Sequence, residues 1–139
     1  MNIKLYEILL EQRAERDRFL VQTTVLRRVQ SPLKKEGNLI SVVTGPRRAG
    51  KSTYVFQALK GIPFYYCNFD DERLLAYPFD EIDKCLSSIY GHCDTWFIDE
   101  VQNVPDWPLI ANRLQRRGEW LIITGSNSHL LSHELITHL

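Results

Sequence analysis

Apolar and polar positions alternate along the chain in blocks that predict helices and strands in turn. Over residues 3–20, apolar side chains recur at helical spacing among charged ones, which predicts an amphipathic helix. The run at 39–44 is short, apolar and rich in β-branched residues, as a buried strand is. Similar apolar runs at 63–69, 95–100 and 119–125 predict three more strands.

Segments of helix-forming composition separate the predicted strands. They cover residues 51–61, 79–91 and 107–118, and each ends near a glycine, a common C-terminal cap. The final stretch "SHLLSHELITHL" (128–139) predicts another helix, so that the chain would end after only four strands. Alternating strands and helices favour parallel pairing with helices on both faces of the sheet. We therefore expect an α/β fold of three layers, α-β-α, with a mainly parallel sheet of at least four strands.

The composition is that of an ordinary globular protein, and its charge is unevenly distributed. The 139 residues contain 17 basic and 17 acidic side chains, so that no net charge draws the chain to nucleic acid or to an anionic membrane. Residues 1–35 nevertheless carry a net charge of +4, and residues 67–106 a net charge of −8. The basic start leaves nucleic acid or an acidic partner as an alternative, although its alternating signs are typical of a solvated helix face.

Cysteine usage and hydropathy predict the compartment. The three cysteines are odd in number and lack C-x-x-C spacing, which favours reduced thiols over a disulfide framework. No apolar run approaches the length that spans a bilayer, and no secretory signal is visible. We expect a cytoplasmic protein that does not bind membranes.

The stretch "SVVTGPRRAGKSTY" (41–54) fits the phosphate-binding pattern G-x-x-x-x-G-K-[ST] between a predicted strand and a predicted helix. The glycines allow a tight turn whose backbone N–H groups point at phosphate oxygens, and the helix adds its positive end. Lys51 would reach the β- and γ-phosphates, and Ser52 offers a hydroxyl to Mg²⁺. The predicted nucleotide-binding residues are Gly45, Pro46, Arg47, Arg48, Ala49, Gly50, Lys51, Ser52 and Thr53.

Two acidic residues end the third predicted strand, "TWFIDE" (95–100). In open α/β sheets, ligands bind at the carboxyl ends of the strands. Asp99 is therefore predicted to hold Mg²⁺ together with Ser52, and Glu100 to act as the general base toward the attacking water. A pair of helix-capping acids is the alternative interpretation of these two residues.

The fourth predicted strand ends in "LIITGSNSHL" (121–130). If this strand pairs with the first, Thr124, Ser126 or Asn127 would lie near the γ-phosphate, where a small polar side chain could sense phosphate and orient water. Ser126 and Asn127 could equally be N-caps of the last predicted helix. Asp70 and Asp71 follow the second strand at the same edge, either as site residues or as turn residues.

The motifs together resemble one group of predicted prokaryotic ATPases of the AAA+ superfamily, in which a P-loop ATPase domain precedes a C-terminal domain of unknown function. The resemblance runs from about residue 39 to 139 and includes Asp99-Glu100-Val101-Gln102 and Thr124-Gly125-Ser126. It implies a P-loop NTPase fold that binds ATP and Mg²⁺, with Lys51, Glu100 and Ser126 as catalytic residues. On this basis residues 1–36 form an N-terminal helical segment, and residues 37–139 an ATPase domain cut short at its C-terminal end.

The resemblance also implies parts that the four predicted strands do not supply. Such proteins usually carry a fifth strand, a sensor arginine and a finger arginine that completes a neighbour's site. Arg113, Arg116 and Arg117 precede the fourth strand, which is the wrong place for that finger. An arginine finger can contribute 10³–10⁵ in rate where it operates.

Three functions fit the sequence. The first is Mg²⁺-dependent ATP hydrolysis that drives a conformational change in an unidentified protein partner, with homo-oligomers formed through the missing C-terminal parts. The second is a nucleotide-dependent switch with little turnover. The third is a P-loop kinase, which Glu100 disfavours because a kinase needs no base toward water. No purine-reading motif separates ATP from GTP.

Overall fold

A five-stranded, all-parallel sheet forms the centre of the structure, a computed structural model that describes residues 2–22, 33–35, 37, 39–46 and 50–126 and the backbone of 135–138. The strands lie in the order β2-β3-β4-β1-β5. Their bounds are β1 Ser41–Thr44, β2 Tyr65–Asn68, β3 Thr95–Asp99, β4 Trp120–Gly125 and β5 Leu135–His138. The helices are α1 Ile3–Gln22, α2 Lys51–Ala58, α3 Phe79–Tyr90 and α4 Trp107–Arg116, with short 3₁₀ helices at Glu72–Ala76 and Val101–Asn103.

Alternate residues of β1, β2, β3 and β4 enter two different cores, as the pleat of a strand requires. In β3, Trp96 and Ile98 face one core, whereas Phe97 faces the other. The first core also contains the apolar faces of α3 and α4, and the second contains that of α2. β1 to β4 are therefore covered on both faces, which confirms the predicted three-layer α-β-α fold and explains why the middles of these strands are apolar.

Helix α1 contacts both cores. Leu5, Ile8 and Leu9 near its start are buried in the core that contains α3 and α4. Phe19 and Leu20 near its end pack against the core that contains α2. Because β2 is the edge strand on this side of the described sheet, α1 passes around that edge from one face to the other.

The end of the chain differs from the sequence prediction. Leu135–His138 is not helical but forms β5, which pairs in parallel with β1. The fifth strand, expected to be missing, is therefore present. The backbone groups on the outer side of β1 are available for pairing with a further strand, which the composition of residues 135–138 does not reveal. Such pairing overrides the helical preference of a local segment. The preceding part of the predicted helix, residues 128–134, lies outside the described residues.

Two other sequence expectations concern thiols and membranes. Cys67, Cys85 and Cys93 are all buried and free, as expected of reduced thiols. None of the described helices combines the length and the apolar character needed to cross a membrane.

Candidate functional site

The carboxyl ends of β2 and β3 and the start of α2 surround an open cavity of about 330 Å³. Parallel pairing brings these ends to one edge of the sheet, because Asn68 of β2 lies in register with Asp99 of β3. The residues that line the cavity are Phe19, Gly50, Lys51, Ser52, Thr53, Asn68, Asp70, Asp99 and Glu100. This is the edge at which open α/β sheets bind ligands.

The glycine-rich loop leads directly into α2. Gly50 has φ 85° and ψ 21°, a left-handed conformation that glycine adopts without strain, and α2 begins at the next residue. Lys51 is only 4% exposed. Its Nζ donates a hydrogen bond of 2.8 Å to the carbonyl oxygen of Gly45 and lies 3.4 Å from Glu100 Oε1. The lysine is thus folded back over the loop and against an acidic side chain.

Ser52 and Asp99 meet at the cavity. The Ser52 hydroxyl donates to Asp99 Oδ2 at 2.7 Å, although the two residues are 47 positions apart in the chain. Asp99 is 3% exposed. Burial raises the pKa of the Asp99 carboxyl, whereas hydrogen bonds from the Thr124 and Ser52 hydroxyls act in the opposite direction. Tyr66 adds a third hydroxyl donor, 3.3 Å from Oδ2.

Glu100 has an unusual backbone conformation. Its φ of 55° and ψ of 50° are left-handed, and no other non-glycine residue of the described ranges has a positive φ. Such a conformation costs on the order of 1 kcal/mol for a residue with a side chain. The Glu100 N–H donates to Thr124 Oγ1 at 3.0 Å, which holds the turn in place. The 3₁₀ helix Val101–Asn103 follows at once, and from it Gln102 Nε2 donates to Glu100 Oε2 at 2.6 Å.

The structure brings together many of the residues predicted from sequence. Lys51, Ser52, Thr53, Asp99 and Glu100 all line the one cavity. Gly45 contacts Lys51, whereas exposed Pro46 is not among the lining residues. Arg47, Arg48 and Ala49, all predicted to bind nucleotide, lie outside the described residues, as does Asn127.

The residues at the end of β4 differ from one another. Thr124 is fully buried and hydrogen-bonds to the Asp99 carboxylate, so it contacts the acidic residues and not the cavity. Ser126, predicted to be catalytic, is exposed, and its Oγ lies 3.3 Å from Gln102 Nε2. Since β4 does pair with β1, Ser126 is at the expected edge but does not line the cavity.

Asp70 and Asp71 also have different surroundings. Asp70 lines the cavity, whereas the Asp71 side chain accepts a hydrogen bond from the backbone N–H of Arg73 and caps the 3₁₀ helix Glu72–Ala76. The hydrogen bonds that Arg73 donates hold the pKa of Asp71 below its ordinary value. Asp71 is thus a turn residue, as one of the two sequence interpretations had it.

Sequence reasoning missed the contribution of α1 to this edge. Phe19 lines the cavity and stacks on Phe56 of α2, with ring centroids 5.2 Å apart and an angle of 11° between planes. The Gln12 amide pairs with both backbone groups of Asn68, donating to its carbonyl at 2.9 Å and accepting from its N–H at 3.0 Å. In the sequence, Gln12 is one polar residue among charged ones. Neither its burial nor its contact with Asn68 can be inferred from that pattern.

The donor set suits Mg²⁺ bound together with a phosphate ligand. Mg²⁺ prefers hard oxygen ligands and is usually held by one or two carboxylates plus substrate phosphates. Asp99 and Ser52 supply a carboxylate and a hydroxyl side by side. Within the described ranges, no cluster of three or more His, Cys, Asp or Glu side chains could hold a metal ion by itself.

The class of P-loop nucleoside triphosphatases is defined by a strand, a glycine-lysine-serine loop and a helix, with two carboxylates at the end of another parallel strand, here β3, which β4 separates from β1. The model of the family described as "AAA domain" matches residues 37–139 of the chain. The chain therefore belongs to the AAA domain family, within the AAA+ P-loop ATPases.

Individual proteins similar to the chain come from distant organisms. An uncharacterized protein of Methanocaldococcus jannaschii is 39% identical over 107 residues, covering 73% of this chain and 24% of that protein. An uncharacterized protein of Haemophilus influenzae is 35% identical over 123 residues, covering 76% of this chain and 30% of that protein. The chain thus spans less than a third of the length of these curated relatives. The solved structure of C. elegans PCH-2 covers 99% of this chain and 43% of its own, with 16% identity and a TM-score of 0.49.

Proposed function

We propose that this chain binds ATP with Mg²⁺ at the cavity beside α2 and hydrolyses it, coupling its nucleotide state to a conformational change. The observation that carries the proposal is the meeting of Ser52 and Asp99 at 2.7 Å in the cavity that Lys51 and Glu100 also line. Membership of the AAA domain family supports nucleotide binding in general. ATP as the nucleotide and Mg²⁺ as the cation are the specific part of the proposal.

Each of these side chains has a role that its chemistry allows. Ser52 and Asp99 would hold Mg²⁺, which when bound neutralises phosphate charge. Lys51 is a mobile point charge that would leave Gly45 and Glu100 to bind phosphate oxygens. Glu100 would then accept a proton from the attacking water, and Ser126 would orient that water from the end of β4.

The ion pair between Lys51 and Glu100 indicates how nucleotide could prepare the base. At 3.4 Å, the lysine competes for the carboxylate that must accept a proton. When Lys51 turns toward a phosphate, Glu100 loses this cation and becomes available to water. Binding would thereby free the base only when substrate is present.

A slow nucleotide switch is the second candidate, because no arginine of the described residues lines the cavity. Arg113 pairs with Asp80 on α3, and Arg117 pairs with Asp83 on the same helix. Fast hydrolysis would therefore need an arginine from another part of the protein or from a neighbouring copy. A P-loop kinase is disfavoured by the position of Glu100 directly beside the lysine.

The wider role is also part of the proposal. We infer a cytoplasmic protein, supported by the three buried free thiols. The nucleotide state would act on a protein partner or on further copies of the chain. Nucleic acid is the alternative partner, through the basic residues of the N-terminal segment.

Thermal unfolding with Mg-ATP tests the site most directly. At a ligand concentration a hundred times Kd, the free energy of unfolding should rise by about 2.7 kcal/mol, which raises the Tm of a chain of this length by several degrees. Lys51→Ala should abolish this shift, whereas Lys60→Ala, an exposed lysine after α2, should leave it unchanged. Absence of any Tm shift with ATP, GTP or ADP would contradict the proposal.

Glu100→Gln separates hydrolysis from a switch. The substitution keeps the size of the side chain but removes the group that accepts a proton, so turnover should fall at least tenfold while the Mg-ATP Tm shift persists. Turnover is measured as phosphate release by the intact protein. Phosphate release that Glu100→Gln does not reduce would exclude Glu100 as the general base.

A further inference from the structure

Gln102 contacts two of the residues to which catalysis is assigned, although it does not line the cavity itself. Its Nε2 lies 2.6 Å from Glu100 Oε2 and 3.3 Å from Ser126 Oγ. Glu100 directly follows β3, and Ser126 directly follows the neighbouring strand β4. A single side-chain amide therefore bridges the carboxylate that follows β3 and the hydroxyl that follows β4.

The orientation of this amide is determined by the charge beside it. If the Gln102 amide were turned over, Oε1 would face the carboxylate of Glu100 and repel it, so only the N–H side can lie there. Oε1 is instead buried and has no hydrogen-bond partner among the described residues. The amide thus keeps its N–H side, and with it the hydrogen bond, on Glu100.

The two oxygens of the Glu100 carboxylate have different partners. Oε1 faces Lys51, which must move to bind a phosphate, whereas Oε2 accepts from Gln102. The Gln102 contact needs no rearrangement, because the left-handed turn at Glu100 and the 3₁₀ helix Val101–Asn103 fold the glutamine back onto it. When Lys51 leaves, Gln102 still holds the carboxylate.

We propose that Gln102 is a positioning residue, which holds Glu100 toward the cavity and ties it to Ser126 once Lys51 has turned to the nucleotide. This inference rests on the proposed function, since it assigns Gln102 a role in hydrolysis through Glu100. Gln102 does not touch the substrate. Its loss should therefore affect the rate constant of turnover and leave Mg-ATP binding intact.

Gln102→Met removes the amide and keeps the length of the side chain. We expect kcat to fall on the order of tenfold, with KM and the Mg-ATP Tm shift unchanged. Gln22→Met, the same substitution at the exposed end of α1, is the matched control and should leave kcat unchanged. In a Glu100→Gln background, Gln102→Met should lower kcat less than twofold, because its effect passes through the carboxylate.

The outcomes distinguish this inference from the proposed function. If Glu100→Gln lowers turnover but Gln102→Met does not, or lowers it equally in both backgrounds, the positioning role is wrong and the hydrolytic function stands. If Glu100→Gln leaves turnover unchanged, the proposed base is wrong. The positioning role would then be wrong as well, since it acts through Glu100. A thermal cycle tests the contact between the two side chains separately: Gln102→Met should lower the Tm of the nucleotide-free protein at least twice as much in wild type as in Glu100→Ala. Equal Tm losses would overturn it.

Discussion

The interior of β3 and the end of the same strand are buried alike but differ in the polarity of their side chains. Trp96 and Phe97 are completely buried, apolar and surrounded by aromatic rings. Two residues further on, Asp99 is buried to nearly the same extent but carries a carboxyl group, and Glu100 has a left-handed backbone. The interior of the strand contributes stability, whereas its end holds groups that are costly to bury.

This difference shows how the fold stabilises the polar residues at the carboxyl ends of its strands. The cost of burying Asp99 is offset by three hydroxyls, from Ser52, Thr124 and Tyr66, each on a different element of the fold. Those elements are held in register by the apolar interior. Substitutions in the interior should therefore change stability most, and substitutions at the end should change stability less but affect nucleotide binding or turnover.

Phe97→Ala should cause the largest loss of stability. The ring is fully buried in β3, with its centroid 5.2 Å from those of Phe56 and Tyr66. Removing it should lower the free energy of unfolding by about 3–5 kcal/mol through lost burial and the cavity left behind. Urea unfolding measures this loss. Phe19→Ala, which removes a half-buried ring stacked on Phe56, is the control and should lower the free energy of unfolding clearly less. Equal losses for the two variants would contradict the prediction.

Thr124→Val should have an intermediate effect. Valine keeps the shape of the side chain but cannot donate to the Asp99 carboxylate or accept from the Glu100 N–H. The Glu100 N–H would lose its acceptor and Asp99 one of its three hydroxyl donors, which together should cost about 2 kcal/mol. Thr95→Val at the opposite end of β3 is the control, with an expected cost less than half as large, because among the described residues its hydroxyl has no carboxylate partner. Calorimetry on both variants would show whether the costs differ.

Glu15→Gln should have the smallest effect, and its sign depends on pH. Burial, followed by the nearby Asp99 carboxylate, raises the pKa of Glu15 above its ordinary value of 4.5. A carboxyl with a raised pKa in the folded state contributes stability below its ordinary pKa and loses it as pH rises through the folded value. At pH 7, Glu15→Gln should therefore stabilise the nucleotide-free protein by about 0.5 kcal/mol or less, given its partial exposure.

The gain from Glu15→Gln should shrink as pH falls to about 4, where the wild-type carboxyl is protonated as well. Glu7→Gln, at an exposed position of α1, is the control and should show no such trend. The measurement is the Tm of each variant between pH 4 and pH 7. A stabilisation that grows toward low pH would contradict the prediction.

Most of the sheet could be predicted from sequence because its strands are buried on both faces and read as short apolar runs. The P-loop and the acidic end of β3 were found for a related reason: their residue types are needed at fixed spacings. Predicted boundaries were too long at several elements; β2, for example, is confined to Tyr65–Asn68 within the predicted 63–69. The identity of β5 could not be predicted, since only its pairing with β1 makes it a strand.

The parts of the site that escaped prediction depend on contacts between distant segments. Tyr66 is a residue of the core that contains α2, but its hydroxyl also reaches Asp99. Alternation along a strand predicts the face on which a ring lies and not the partner of its hydroxyl. Gln12 and Gln102 escaped for the same reason, because an amide shows its role only once its partners are known.

Because α1 passes around β2, removal of α1 from the chain should change how the remaining protein behaves. Strand β2 lies at the rim of the described sheet, and there the Gln12 amide satisfies both outward-facing main-chain groups of Asn68. A piece that started at residue 37 would lose this protection and uncover the apolar residues that Leu5, Ile8 and Leu9 cover. An uncovered strand of this kind readily adds a strand from another molecule, so such a piece should self-associate.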